Sequence, residues 1–146
     1  MRNLIEFILE KLSYDGTTPK NKYELKSLIN KRIKENKDAD LNDIDTSKIT
    51  NMEKLFEDSD FDGNISNLDV SNVTNMNFMF SNSNFTGKNS NLNKWDVSKV
   101  RLMNGMFYYG KFEGNIDDWT PPKDFKYNLM FKESPLYNKP PKWYPK

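Results

Sequence analysis

Between Leu41 and Asn115 the apolar positions recur at a long fixed interval, not at the short spacings of a helix or a strand. LNDIDTSKITNMEKLFEDSDFDGN (41–64) is followed by ISNLDVSNVTNMNFMFSNSNFTGK (65–88) and LNKWDVSKVRLMNGMFYYGKFEGN (92–115). Met52, Met76 and Met103 correspond, as do Phe56, Phe80 and Phe107, and Phe61, Phe85 and Phe112. The spacing is 24 and then 27 residues, the difference being the insert 89–91. A fourth, decayed copy begins at Ile116, where Trp119, Met130 and Phe131 lie 24 beyond Trp95, Met106 and Phe107. Such a period implies that each unit hides its apolar side only by stacking on its neighbours. In each copy the pattern predicts a short strand around I-S-N-L-D, a polar corner, and an extended piece through V-T-N-M. One helical turn carrying M-F and a closing F-x-G turn complete the unit. The closing glycine suggests a positive φ or a close backbone approach.

The first forty residues read differently. Asn3 with Glu6, and Asn21 with Glu24, resemble N-caps with an acid at the third helical position. Leu4, Ile5, Ile8, Leu9 and Leu12 form one face at helical spacing, and Leu25, Leu28, Ile29 and Ile33 form another. Asp15-Gly16 and Pro19 separate them. At the other end Pro121, Pro122, Pro135, Pro140, Pro141 and Pro145, with Trp143 and Tyr144, predict an extended tail over the last copy. The expected fold class is therefore α+β: a short repeat solenoid of three to four turns, with a two-helix cap (1–40). The solenoid would span 41–131, with units 41–64, 65–91, 92–115 and a degenerate 116–131. A Pro/aromatic capping tail (132–146) would complete one cooperative domain.

The strings WDVSKV and LDVSNVTNM and the recurring M-F pair resemble the BspA-like leucine-rich-repeat proteins. The resemblance covers about Leu41–Phe131, with a looser match through Asn21–Ile33. It implies a repeat solenoid that binds other macromolecules, in a family that includes bacterial surface proteins and lipoproteins.

Composition narrows the chemistry. The 146 residues contain no Cys and no His, which excludes disulfides, thiol nucleophiles, imidazole acid–base catalysis and Cys/His zinc sites. No Gly-rich phosphate loop or G-x-S-x-G is present. Asp45/Ser47, Asp69/Ser71 and Asp96/Ser98 recur once per copy, which points to turn capping and not to an acid–base pair. The expectation is a non-enzyme. Glu6 and Glu10 interrupt the only apolar run near the start, and nothing approaches the roughly 20 apolar residues of a membrane span. We therefore expect a cytoplasmic protein without membrane contact, monomeric or weakly oligomeric.

Charge adds two candidate sites. Lys and Arg number 22 and Asp and Glu 21, but segments 1–40, 41–119 and 120–146 carry +2, −5 and +4. Acid gathers in Asp58-Ser-Asp60-Phe-Asp62-Gly63, with Asp69 at the twelfth position, a spacing similar to an EF-hand loop. Asp58, Asp60, Asp62 and Asp69 are thus candidate calcium ligands, although Asp at the twelfth position is shorter than the usual Glu. No other cofactor is indicated. Where the copies disagree, stacking does not dictate the residue. Phe78, Arg101, Tyr108 and Tyr109 are such positions, of types that interfaces favour, and Asp58 and Asp60 offer a competing acidic patch.

Three functional readings follow. The first is a protein-binding repeat module. The second is a phage or mobile-element inhibitor that occupies a host defence nuclease through its acidic face, and the third a calcium-dependent adhesive repeat. Six lysines over 120–146 make a weak stripe, so direct nucleic-acid binding is not expected.

Overall fold

The computed structural model describes residues 3–5 and 16–146. Helix α1 (Lys22–Glu35) begins where the sequence places it: the Asn21 side chain accepts from the amides of Tyr23 and Glu24. The Glu24 carboxylate reaches back to the Lys20 amide at 2.7 Å. Leu25, Leu28 and Ile29 are buried, and Arg32 makes a two-pronged ion pair with Asp43 on the first coil. The other expected helix falls largely outside the described residues. Of its apolar face Leu4 and Ile5 are described, and they are 72% and 60% exposed.

The repeat units stack as coils in the expected register. Coil 1 runs from 41 to 64, coil 2 from 65 to 91, coil 3 from 92 to 115, and coil 4 starts at 116. Parallel bridges join Asn51 to Asn75, Asn75 to Leu102 and Leu102 to Lys126, one residue per coil. Phe56, Phe80, Phe107 and Phe131 stack at 5.4–5.6 Å between centroids and at most 6° between planes. A second phenylalanine column, Phe61, Phe85 and Phe112, interleaves with the first at 4.6–4.7 Å. Such ring pairs add about 0.5–1.5 kcal/mol each beyond the area they bury.

The expected fold class is nevertheless corrected. Among the described residues there is one helix, and pairing is confined to isolated bridges without a strand or a sheet. Among the described residues, then, an α+β leucine-rich-repeat-like solenoid with strands is not what forms, and of the expected two-helix cap α1 is the helix described. The expected strand at I-S-N-L-D is a turn, closed by the Leu68 amide on the Ile65 carbonyl. The expected helical turn at M-F is three successive tight turns: in coil 1 the amides of Leu55, Glu57 and Ser59 donate to the carbonyls of Met52, Lys54 and Phe56. Two residues in each such run have positive φ: Lys54 and Asp58, Phe78 and Asn82, Gly105 and Tyr109, Leu129 and Glu133. This φ at the third residue of a turn is what a type II turn demands, and it breaks both helix and strand geometry.

The resulting hydrogen-bond pattern is polar along the stack. The peptide joining Asn75 to Met76 accepts from Met52 in the coil before and donates to Leu102 in the coil after. The peptides before Phe78, Phe80 and Asn82 do the same, accepting from Lys54, Phe56 and Asp58 and donating to Asn104, Met106 and Tyr108. In this segment every such N–H therefore points toward the carboxy-terminal end and every carbonyl toward α1. A β-edge alternates donor and acceptor pairs; this one does not. At the α1 end the Lys26 ammonium donates to the Leu55 carbonyl. Burial pushes its pKa below the usual 10.5, opposed by the nearby carboxylates of Glu57 and Asp58.

The repeat also reaches further than expected. Trp143 lies 24 beyond Trp119, stacks on it at 5.9 Å, and donates its indole N–H to the Ile116 carbonyl. Trp119 and Trp95 make the same bond back to Leu92 and Ile65. Residues 132–146 thus include a fifth rung of the period, while Tyr144 sits edge-on to Phe131.

Candidate functional site

The run of tight turns builds a ridge in which the positive-φ positions line up from coil to coil. Two columns matter here. One contains Lys54, Phe78, Gly105 and Leu129; the other contains Asp58, Asn82, Tyr109 and Glu133. Coils 1 and 2 fill the second with Asp and Asn, residues that tolerate the left-handed region because their side chains bond locally. Coil 3 places Tyr109 there, at φ 53° and 54% exposed. Tyr108, beside it, replaces Ser81 of coil 2, and the two rings meet edge-on at 4.7 Å. A bulky residue with positive φ costs about 1–2 kcal/mol relative to a residue that prefers it.

The other candidate residues scatter. Phe78 is half-buried and leans over Gly105: a Cβ there would fall 2.3 Å from its ring. It packs between coils more than it faces outward. Arg101 lies on the bridged strip, not on the ridge, and pairs with both oxygens of Asp124 at 2.9 Å. Both partners are more than 60% exposed, so the pair stabilises the fold by about 1 kcal/mol or less. The tyrosine pair and the acidic residues share the ridge; Arg101 does not belong to it. Leu129, 47% exposed and one period beyond Gly105, does, and the 24-residue interval alone would have marked it.

The four acids of the EF-hand-like spacing do not converge. Asp58 accepts from the Asn82 side chain and Asp60 from that of Asn84, each at 2.7 Å. Asp62, nearly buried, takes both the amide and the hydroxyl of Thr86, and Lys88 Nζ stands 3.6 Å away. Asp69 caps its own turn through Ser71. The alternation that would aim oxygens at one cation instead hands each carboxylate to a different donor. Among the described residues no group of three or more acidic side chains could hold a metal ion.

The recurring Asp–Ser pairs are turn caps, as their repetition implies. Asp45, Asp69 and Asp96 each accept from the amide two residues on, at 2.9–3.0 Å. Hydrogen bonds from Ser47 and Ser98 hold the carboxyls of Asp45 and Asp96 below the usual 3.8. A lowered folded-state pKa lends stability that is complete above the unfolded value and is lost as pH falls through the folded one. Asp96→Asn keeps the turn acceptor but cannot titrate. Its urea stability should therefore fall less steeply than wild type as pH drops below 3.8; an identical acid slope would show that the cap's charge is not coupled to folding.

No described helix is long and apolar enough to cross a membrane. A family model, described as Mycoplasma protein of unknown function, DUF285, matches residues 24–143, from α1 to the last tryptophan rung. Neither a curated protein nor a solved structure matches the chain.

Proposed function

The chain belongs to the DUF285 family, and we propose that it is a non-enzymatic binding module that docks a protein partner on the turn ridge of coils 2 to 4. One observation carries the reading: coil 3 sets a paired Tyr108–Tyr109 where coil 2 has Ser81-Asn82, with Tyr109 exposed on a backbone that suits Asn better. Strain kept at an exposed aromatic is a stability cost that the edge-on contact with Tyr108 offsets only in part, and rigid aromatics are the side chains that most often anchor interfaces. Leu129 extends the apolar surface by one coil. Asp58 and Asp60, two coils away on the same ridge, give the surface an acidic end.

The test restores the repeat. Tyr108→Ser with Tyr109→Asn copies coil 2 and should leave the melting temperature unchanged or raise it by a few degrees, for about 1 kcal/mol of relieved strain. A protein captured by the wild-type chain should be lost from the variant, because truncating an aromatic anchor costs about 2 kcal/mol or more. Equal capture by both chains, or a variant that melts much earlier, would show that the tyrosines pack the ridge and bind nothing.

A further inference from the structure

The polarity of the coil stack leaves a different surface unsatisfied. In coil 4 the carbonyls of Lys126, Asn128, Met130 and Lys132 accept from Met103, Gly105, Phe107 and Tyr109. The N–H groups on the same four peptides belong to Tyr127, Leu129, Phe131 and Glu133, and among the described residues none of them has an acceptor. These amides point along the stack axis, away from α1. Tyr127, Leu129 and Glu133 are exposed, whereas Phe131 is buried, and Tyr144 of the tail lies edge-on to both Phe131 and Tyr127. Beside the row lies an open groove of about 440 Å³, lined by Asn104, Phe125, Lys126, Tyr127 and Asn128.

An edge of this kind chooses its partner by chemistry. An ordinary β-strand would set its own N–H groups against half of these donors, because its edge alternates donors with acceptors. The complement must offer acceptors only. Segment 120–146 carries six lysines against two acids, with Lys126 and Lys132 next to the row. Nucleic-acid backbones bind chiefly through many cations, whereas this edge has three neutral donors on exposed residues, two flanking lysines and one acid, Glu133. Carboxylates, which accept backbone amides in short charge-assisted hydrogen bonds, fit it better. We propose that the row Tyr127–Glu133 with its groove docks an acidic extended segment of a partner protein, whose Asp or Glu carboxylates take the outward amides of Tyr127, Leu129 and Glu133. This edge adjoins the Tyr108–Tyr109 ridge and shares Leu129 and Glu133 with it, but the capture test reads the tyrosines and the titration below reads backbone amides, so either proposal can fail without the other.

The experiment is an amide NMR titration of the chain Met1–Lys146 with an eight-residue alternating Glu-Thr peptide and with its Gln-Thr counterpart. The expected result is downfield shifts of the Tyr127, Leu129 and Glu133 amides with the Glu peptide, and binding about tenfold weaker with the Gln peptide, the loss of charge assistance. Lys126→Glu with Lys132→Glu should weaken binding several-fold, while Glu133→Lys should strengthen it; all three side chains are exposed, so folding is retained. Shifts confined to lysine side chains, or no shift in the three amides, would overturn the proposal. So would a poly-dT oligonucleotide moving the same amides at lower concentration, which would make the ligand a nucleic acid. A sedimenting mass that rises with protein concentration and is abolished by Lys126→Glu would instead assign the edge to a second copy of the chain.

Discussion

Phe80→Ala should remove about 3–5 kcal/mol of stability, out of a total of about 5–15 for a domain of this kind. Phe80 has no solvent exposure and touches three other rings: Phe56 at 5.4 Å, Phe85 at 4.6 Å and Phe107 at 5.5 Å. Its loss opens a hole at the junction of two aromatic columns, and coils tied together by backbone hydrogen bonds on both sides cannot close over it. The Phe80 amide and its neighbours hold coil 2 to coil 3, so a shift to fill the gap would break the Met106 contact as well. Urea unfolding should show a lower midpoint with the slope preserved if the stack unfolds as one unit. A reduced slope would mean that the coils uncouple at the lesion. An unchanged midpoint would refute the central place given to the columns.

Gly63→Ala should be comparably damaging, for a different reason. A Cβ at Gly63 would lie 2.0 Å from the Ala39 carbonyl oxygen and 2.7 Å from the Asp38 carbonyl carbon. Both are backbone atoms, and Ala39 also accepts the Asn64 amide at 3.1 Å, so neither can move without breaking the joint between the α1 segment and coil 1. Overpacking of this sort costs about 1–3 kcal/mol, and more where the neighbour is rigid. We expect about 3 kcal/mol of destabilisation, with protection from hydrogen exchange lost first in α1. Gly105→Ala is the control. Its new Cβ meets the ring of Phe78, which is half-buried and can swing aside, so the expected cost is only the roughly 1–2 kcal/mol of placing a side chain at φ 59°. If Gly105→Ala proved the worse of the two, the backbone clash at Gly63 would not be the deciding contact.

The sequence by itself determined the register of this molecule. Identical side chains at intervals of 24 and 27 residues must stack on one another if their apolar faces are to leave water, and the phenylalanine and tryptophan columns follow from that alone. The N-cap at Asn21 and the Asx turns at Asp45, Asp69 and Asp96 were legible too, because a short polar side chain bonding two residues ahead is a local event. The interval even reaches Trp143, which the prolines around it disguised as part of a tail. What the sequence left open was the path of the chain between rungs. Met-x-x-Met-Phe carries no mark separating a helical turn from three linked turns, since Phe78, Tyr109 and Leu129 are not residues that announce a positive φ. They adopt it because each peptide can then bond to the coil before and the coil after, and those bonds exist only once three coils are together. The acidic run was misleading on the same account: alternate carboxylates suggest one cation, but stacking supplied Asn82, Asn84 and Thr86 as separate partners. The one-way row of amides at coil 4 is likewise a property of the stack. No single repeat contains it; it arises because every peptide in the column faces the same direction.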